Sequence, residues 1–246
     1  MQKYMDFAYI YDKLTFDVEY KKMADFIDKV IKKYGIKNTN LVLDLACGTG
    51  TMCNLLSDKG YDLTGIDFSE NMLSVATEKS VGKNILYLNQ DICQFELYGT
   101  MDAICCLLDS INHITDIKKL DKLFSLVNNY LNPEGLFVFD INSPYKFENI
   151  LADNIFTFDT DEIYYVWEND YDIENKLCDF YLTFFVNENE KYTRFDELHT
   201  ERCYEDEEIE KLADKNGFEI LKKCDGYSMN DVNEDSERIF YILKKK

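Results

Sequence analysis

Apolar and aromatic side chains recur every three to four positions between residues 7 and 33. This spacing predicts two amphipathic helices, because residues three or four apart share one face of a helix. Gly35 stands where the second helix should end. The positions that carry the pattern are Phe7, Ile10, Tyr11, Leu14, Met23, Phe26, Ile27 and Val30.

Five short apolar runs come next, separated by turns or by segments with helical spacing. Short apolar runs bounded by turn signals are typical of strands buried on both faces, as in a parallel sheet. An amphipathic helix over residues 116–131 separates the last two runs. The runs are Leu41–Ala46, a segment ending at Asp67, Ile85–Leu88, Asp102–Leu108 and Leu136–Asp140.

The pattern changes after Ser143, where aromatic and polar residues alternate between Asn-, Asp- and Glu-rich turns. Such alternation predicts an antiparallel meander with one solvated face. Its last strand is expected at Tyr192–Arg194, and the main domain should resume near His199 with a helix over Glu207–Asn216. The predicted division is an α/β domain of residues 1–142 and 204–246, with a helical lid at 1–35, and an inserted antiparallel β lid at 143–203.

The formal charge of −20 restricts the partners that the protein can have. Enzymes of nucleic acids neutralise phosphates with clustered basic residues, whereas the dense basic run here is Lys244–Lys246. Binding to nucleic acid or to an anionic membrane is therefore not expected. An acidic surface would instead attract a cationic or amine substrate.

Eight cysteines without a Cys-x-x-Cys pair are typical of reduced thiols in the cytoplasm, and no metal site is expected. The apolar runs are too short to span a membrane, and the first six residues lack the apolar segment of a signal peptide. The composition therefore predicts a cytoplasmic protein, monomeric or homodimeric.

The first apolar run leads into a glycine turn, Asp44-Leu-Ala-Cys-Gly-Thr-Gly50, and the second run ends at Asp67. The predicted order is a strand, a tight turn, a helix and a second strand with an acid at its end. This order is typical of a site that binds a nucleoside. The glycines let the ligand approach the backbone, and the carboxylate accepts hydrogen bonds from ribose. The dinucleotide fingerprint would need a third glycine where this chain has Cys53. On its own, the motif also fits an ordinary glycine turn.

With these features the sequence resembles the class I S-adenosylmethionine (SAM)-dependent methyltransferases, in particular the small-molecule branch with sugar-amine and glycine N-methyltransferases. The resemblance implies a doubly wound, seven-stranded, mostly parallel sheet whose last strand is antiparallel, with SAM as the cofactor. It includes the Leu-x-Pro-x-Gly turn at residues 131–135 and the final helix and hairpin strands.

The resemblance also implies a set of cofactor-binding residues. The glycine turn would hold the methionine part of SAM, Asp67 the ribose, and Asp91 with Ile92 the adenine. Phe68 and Met72 would flank the adenine, although both also suit a helix core, and Asp91 also suits a turn cap. The predicted set is Tyr11, Asp44, Ala46, Cys47, Gly48, Thr49, Gly50, Asp67, Phe68, Met72, Asp91, Ile92, Leu107 and Leu108.

Two residues are candidates for the reacting centre. His113 follows the fourth strand, and similar sugar-amine methyltransferases have a Ser-Ile-x-His segment here whose histidine is the base. A histidine with a pKa of about 6.5 can take a proton from an ammonium or hydroxyl group at neutral pH. The family places a tyrosine matching Tyr11 near the sulfonium. Alternatively, His113 caps the next helix and Tyr11 packs on its own helix.

The predicted function is transfer of a methyl group from SAM to a nitrogen or oxygen of a small-molecule acceptor by in-line displacement. The proline motifs of DNA-base methyltransferases are missing, since the only prolines are Pro133 and Pro144. The alternatives are a methyltransferase acting on protein or RNA, a protein that binds SAM without catalysis, and a carboxylated SAM analogue as donor. Candidates for the acceptor pocket in the β lid are Tyr165, Trp167, Phe184 and Arg194.

Overall fold

The N-terminal segment forms two helices, as predicted. The computed structural model describes residues 7–188 and 191–246. Helix α1 spans Phe7–Leu14, and α2 spans Tyr20–Tyr34 and ends at Gly35. The first six residues lie outside the described residues, and so do the expectation about a signal peptide and the start of the predicted helical lid.

Strands and helices alternate from residue 41 to residue 142, and each apolar run is a strand of one central sheet. The first two strands are buried along their whole length except at the first residue, as strands covered on both faces must be. The elements are β1 (Leu41–Leu45), α3 (Thr51–Asp58), β2 (Asp62–Asp67), α4 (Glu70–Lys79), β3 (Ile85–Asn89), β4 (Met101–Cys106), α5 (Ile117–Tyr130) and β5 (Leu131–Asn142).

The chain's last elements, α7 (Asp206–Lys215), β10 (Phe218–Asp225) and β11 (Arg238–Lys245), complete the central sheet. Its order is β10-β11-β5-β4-β1-β2-β3, and within the described residues β11 is the one strand that runs opposite to the other six. Helices α2 and α3 cover one face, and α5 and α7 cover the other. The predicted doubly wound, seven-stranded sheet is confirmed.

A second, antiparallel sheet of four strands lies between β5 and α7, as predicted. One of its faces packs on α1 through a cluster that contains Ile10, Ile163 and Phe184. We call this sheet the β lid and this face its inner face. The elements are α6 (Pro144–Lys146), a π-helical turn (Phe147–Leu151), β6 (Ile155–Asp159), β7 (Ile163–Asp172), β8 (Leu177–Glu188) and β9 (Lys191–Arg202).

Strand β9 is longer than the sequence pattern indicated. It continues past Arg194 to Arg202, so that His199 belongs to the β lid and not to the resumed main domain. Residues two apart share one face of a strand. On β9 one such set is Glu197, His199 and Glu201, and these polar side chains interrupt the apolar alternation by which a strand is usually recognised.

Strand β4 is shorter than predicted, because it ends at Cys106. The two residues Leu108 and Asp109 have φ angles of 56° and 53°, in the left-handed region that side chains rarely adopt. The buried carboxylate of Asp140 accepts hydrogen bonds from the backbone N–H groups of Leu108 (2.8 Å) and Asp109 (3.0 Å). These two bonds hold the sharp turn that follows β4.

All eight cysteines are buried free thiols. Burial raises the pKa of the Cys105 and Cys106 thiols well above the usual value, which keeps them protonated and unreactive. None of the helices in residues 7–188 and 191–246 has the length and the apolar composition needed to cross a membrane.

Candidate active site

A cavity of about 970 Å³ lies between the carboxyl ends of the central strands, α1 and the inner face of the β lid. Ligands of open α/β sheets bind at this edge of the sheet. Every residue predicted to be catalytic or to bind the cofactor lines this cavity except Gly50. The fold therefore brings together residues that are up to 102 positions apart in the sequence, from Tyr11 to His113.

The two glycines of the donor loop differ in what surrounds them. Gly48 has a φ of 52°, and a Cβ atom built on it would meet nothing within 4 Å among the described residues. Gly50 has a φ of 70°, and its Cβ would collide with the hydroxyl of Tyr87 and approach Ala76. Gly48 therefore borders open space for a ligand, whereas Gly50 allows the loop to pack on the neighbouring elements.

The Asp67 carboxylate at the tip of β2 is buried and holds the same loop. Its Oδ2 accepts from the Gly48 N–H at 2.9 Å, and its Oδ1 accepts from the Ser69 N–H at 2.9 Å. Burial raises its pKa, which the backbone donors oppose. Each oxygen has a second lone pair, so the carboxylate can also accept hydrogen bonds from a sugar.

Phe68, Met72, Asp91 and Ile92 line the cavity beside Asp67. The Phe68 side chain is 79% exposed, which is unusual for a large apolar ring and leaves one face free to stack on a flat ligand. Asp91 caps its own turn, since its Oδ1 accepts from the N–H of Cys93 at 2.8 Å. The turn-capping alternative for Asp91 is thus observed, and its other lone pairs remain available to a ligand.

Helix α1 is fastened to the donor loop by polar contacts. The Asp12 Oδ1 accepts from the hydroxyl of Thr49 at 2.6 Å, and Lys79 on α4 pairs with Asp12 Oδ2 at 2.5 Å. The neighbouring Tyr11 lines the cavity, and burial, together with the charges of Tyr20 and Asp109, raises the pKa of its phenol far above the usual value. Tyr11 is therefore a neutral hydrogen-bond donor at physiological pH.

The acceptor side of the cavity contains both histidines of the chain. The ring centroids of His113 and His199 are 5.9 Å apart, and Nε2 of His113 is 3.5 Å from Oε1 of the buried Glu201. Burial lowers the pKa of both imidazoles, so both are neutral at neutral pH. Sequence reasoning missed His199 and Glu201; their spacing with Glu197, at alternate positions, was the signal that could have indicated one polar strand face.

An ion network lies beneath these groups. Arg238 on β11 pairs with Asp109 at 2.6 Å and with the buried Asp140. Burial opposes ionisation of Asp109, but the positive charge of Arg238 dominates and lowers its pKa to about 2. Burial and the charge of Asp109 raise the pKa of Glu201 well above the usual value.

Asp109, His113 and Glu201 place three possible metal-ligand atoms within 4.8 Å of one another, a grouping that the sequence did not predict. Asp109 already forms an ion pair with the guanidinium of Arg238. A divalent cation would therefore meet a fixed positive charge beside one of its three ligands.

The lid residues named from the sequence divide into two groups. Tyr165 and Trp167 line the cavity, as the acceptor-pocket hypothesis requires. Phe184 instead packs in the cluster with Ile10, and Arg194 pairs with Asp196 at 2.9 Å, where both side chains are more than half exposed.

Comparison with known proteins agrees with this arrangement. A family model described as a methyltransferase domain matches residues 42–135. A putative methyltransferase of Geobacillus sp. (strain WCH70) is 33% identical over 98% of this chain and 99% of its own length. A SAM-dependent methyltransferase from Clostridium acetobutylicum ATCC 824 has a crystal structure that matches with a TM-score of 0.89 and 42% identity over 97% of each chain.

A more distant structure shares the fold. SAM-bound CalS10, an amino pentose methyltransferase from Micromonospora echinaspora, matches with a TM-score of 0.78 and 16% identity over 100% of this chain and 99% of that one. The chain belongs to the class I SAM-dependent methyltransferases, enzymes that use SAM as the methyl donor. The resemblance that the donor motif indicated is confirmed, and it extends over the β lid.

Proposed function

We propose that this methyltransferase transfers the methyl group of SAM to a nitrogen or oxygen of a small-molecule acceptor. The observation that carries the proposal is the shared cavity, in which the donor loop and the polar residues of the β lid face the same space. A volume of about 970 Å³ is at the upper end of the range for small-molecule sites, roughly 300–1,000 Å³. It gives room for a donor and a compact acceptor together.

The donor would lie along the ends of β1, β2 and β3. In this arrangement the open space beside Gly48 receives the methionine part, Asp67 binds the ribose hydroxyls, and Phe68 stacks on the adenine. Asp91 and Ile92 border the same end of the cavity and would bind the edge of the adenine. Asp44, Ala46, Cys47, Leu107 and Leu108 would complete the walls around the donor.

The acceptor would lie between the donor and the β lid. The sulfonium is already a good leaving group, so the protein needs to align the acceptor, exclude water and remove a proton. Alignment alone is worth about 7–11 kcal/mol in well-oriented systems. We assign proton removal to His113 and orientation of the reacting groups to Tyr11. The amino pentose methyltransferase CalS10, which has this fold, supports an acceptor of small size.

A thermal-shift experiment tests the donor assignment. SAM at millimolar concentration should raise the melting temperature of the wild-type protein, because any ligand that binds the native state stabilises it. Asp67→Ala should remove most of that rise. Asp62→Ala, a change at the exposed start of the same strand, is the matched control and should keep it. A shift with NAD but none with SAM, or full SAM affinity in Asp67→Ala, would contradict the assignment.

Labelled SAM incubated with a cell extract separates the acceptor classes. The proposal expects label in the small-molecule fraction. Label in protein or RNA would favour the macromolecular alternatives, and SAM binding without any labelled product would favour a protein that binds SAM without catalysis.

A further inference from the structure

A buried carboxyl group lies directly behind the histidine that we assign to proton removal. Glu201, near the end of β9, is 2% exposed, and its Oε1 is 3.5 Å from Nε2 of His113. The His113 side chain is 45% exposed and borders the cavity. Contacts of this length in ligand-free sites commonly shorten when the substrate binds. The partly exposed imidazole thus borders the cavity and also contacts the buried carboxyl group.

Amide side chains fix which oxygen of Glu201 faces His113. Asn142 on β5 donates from Nδ2 to Glu201 Oε2 at 2.9 Å, which leaves Oε1 for the histidine. The backbone N–H of Asn142 donates in turn to Asn112 Oδ1 at 3.0 Å. Asn112 precedes His113 and donates from Nδ2 to the carbonyl oxygen of Arg202 at 2.8 Å. These bonds tie the histidine loop to the end of the lid strand.

We propose that Glu201 is a positioning residue for His113: it accepts the Nε2–H and leaves Nδ1 free to take the proton of the acceptor. The proposal deepens the proposed function and rests on it. The acceptor atom bonds to the methyl carbon, and the electron pair of the breaking S–C bond stays on sulfur. The proton of the acceptor moves to Nδ1, and the carboxylate of Glu201 stabilises the imidazolium that forms.

The protonation state of Glu201 decides which tautomer His113 adopts. Burial raises the pKa of Glu201, the negative charge of Asp109 raises it further, and Asn142 and Lys146 oppose these effects. When protonated, Glu201 donates its proton to Asp109 or to Nε2, and in either case it no longer holds the histidine proton on Nε2. Activity should therefore rise with pH as Glu201 loses its proton.

Glu201→Gln separates positioning from a merely structural role. Asn142 donates to one side of residue 201, so the glutamine should present its oxygen to Asn142 and its NH₂ to His113. The Nε2 atom must then accept a hydrogen bond, and the proton of the neutral imidazole stays on Nδ1. Glu168→Gln makes the same change at an exposed position on β7 and serves as the control.

Imidazole ¹⁵N NMR reads the tautomer without any ligand. The chain has two histidines, and His199→Asn assigns their signals. At the alkaline end of a pH titration the wild type and Glu168→Gln should show His113 protonated at Nε2, and Glu201→Gln should show it protonated at Nδ1. An unchanged His113 tautomer in folded Glu201→Gln would overturn the proposal, whether or not the donor assignment holds.

Kinetics give the second measurement. With an acceptor from the labelling experiment, Glu201→Gln should lower kcat about 100-fold, within the range for general acid–base groups. It should also remove the part of the rise of kcat with pH that comes from Glu201, while the SAM-induced rise in melting temperature stays unchanged. A pH profile identical to that of the wild type would contradict the proposal. So would activity that requires added Mn²⁺ and is lost with EDTA, because Asp109, His113 and Glu201 would then be metal ligands.

Discussion

Gly48 and Gly50 lie in the same turn, but we expect Gly48 to matter mainly for SAM binding and Gly50 mainly for stability. Gly48→Ala should cost about 1–2 kcal/mol, because its φ of 52° is unfavourable for a side chain, but the new methyl group meets open space. It should still weaken SAM binding at least tenfold, because the methyl group fills the space beside Gly48 that we assign to the donor. Gly50→Ala should destabilise the protein more, because its Cβ also collides with Tyr87.

Melting temperatures and SAM titrations of the two variants check this prediction. For a protein of this size about 1 kcal/mol corresponds to roughly 2–4 °C. A Gly48→Ala variant that binds SAM with wild-type affinity would show that the donor does not occupy the space beside this residue.

The sequence placed the glycine turn, His113, Tyr165 and Trp167 at residues that line the cavity, but it did not indicate His199 or Glu201. The donor loop is continuous in sequence, and its glycines are required by local backbone geometry. His199 and Glu201 approach His113 only because the β lid folds back over the sheet. Nothing local in the sequence encodes that approach. Strand β9 continues to Arg202, and this extension brings both residues to the cavity.

Helix α1 connects the β lid to the donor loop by two kinds of contact. Its apolar residues, such as Ile10, pack on the lid, and Asp12 reaches Thr49 and Lys79. Asp12→Asn should therefore loosen α1 from the loop but leave it on the lid. The pair is about one-third exposed, so the loss of stability should stay below about 1 kcal/mol.

Hydrogen exchange of the α1 backbone amides measures this loosening. Asp12→Asn should exchange several-fold faster over residues 8–14 and should release SAM several-fold faster. Asp25→Asn removes the ion pair of the exposed Asp25 with Lys59, away from the donor loop, and is the control. Equal exchange rates in the two variants would show that Asp12 does not hold the helix.

Element boundaries departed from the sequence prediction where a side chain from a distant strand intervenes. The apolar run of β4 continues through Leu107 and Leu108, yet the strand ends at Cys106. The backbone N–H of Leu108 donates a hydrogen bond to the carboxylate of Asp140, which is 32 residues away in the sequence. The periodicity of apolar residues predicts which residues are buried. It does not predict where a buried carboxylate, by accepting backbone hydrogen bonds, ends a strand.

Buried acids give the whole molecule an unusual dependence on pH. The pKa of Asp44 is raised to about 7 by burial, which Cys53 opposes through a hydrogen bond and Asp67 reinforces through its charge. A raised carboxyl pKa means that the folded state holds its proton at a pH where the unfolded chain has lost it. The stability that this proton gives is present below about pH 4 and is lost as pH rises towards 7. The pKa of Asp109 is lowered to about 2, so Asp109 has the opposite effect: the stability that it gives is lost as pH falls from about 4 towards 2.

Asp44→Asn should remove the Asp44 contribution to this dependence, because asparagine carries no charge at any pH. Its free energy of unfolding should exceed that of the wild type by an amount that grows from about pH 4 to pH 7 and then levels off. One pKa unit corresponds to about 1.4 kcal/mol, so the plateau should not exceed about 4 kcal/mol. Urea unfolding of the SAM-free protein at a series of pH values measures the difference. Asp62→Asn, at an exposed position, should follow the wild type, and a parallel course for Asp44→Asn would show that Asp44 is ionised in the folded protein well below pH 7.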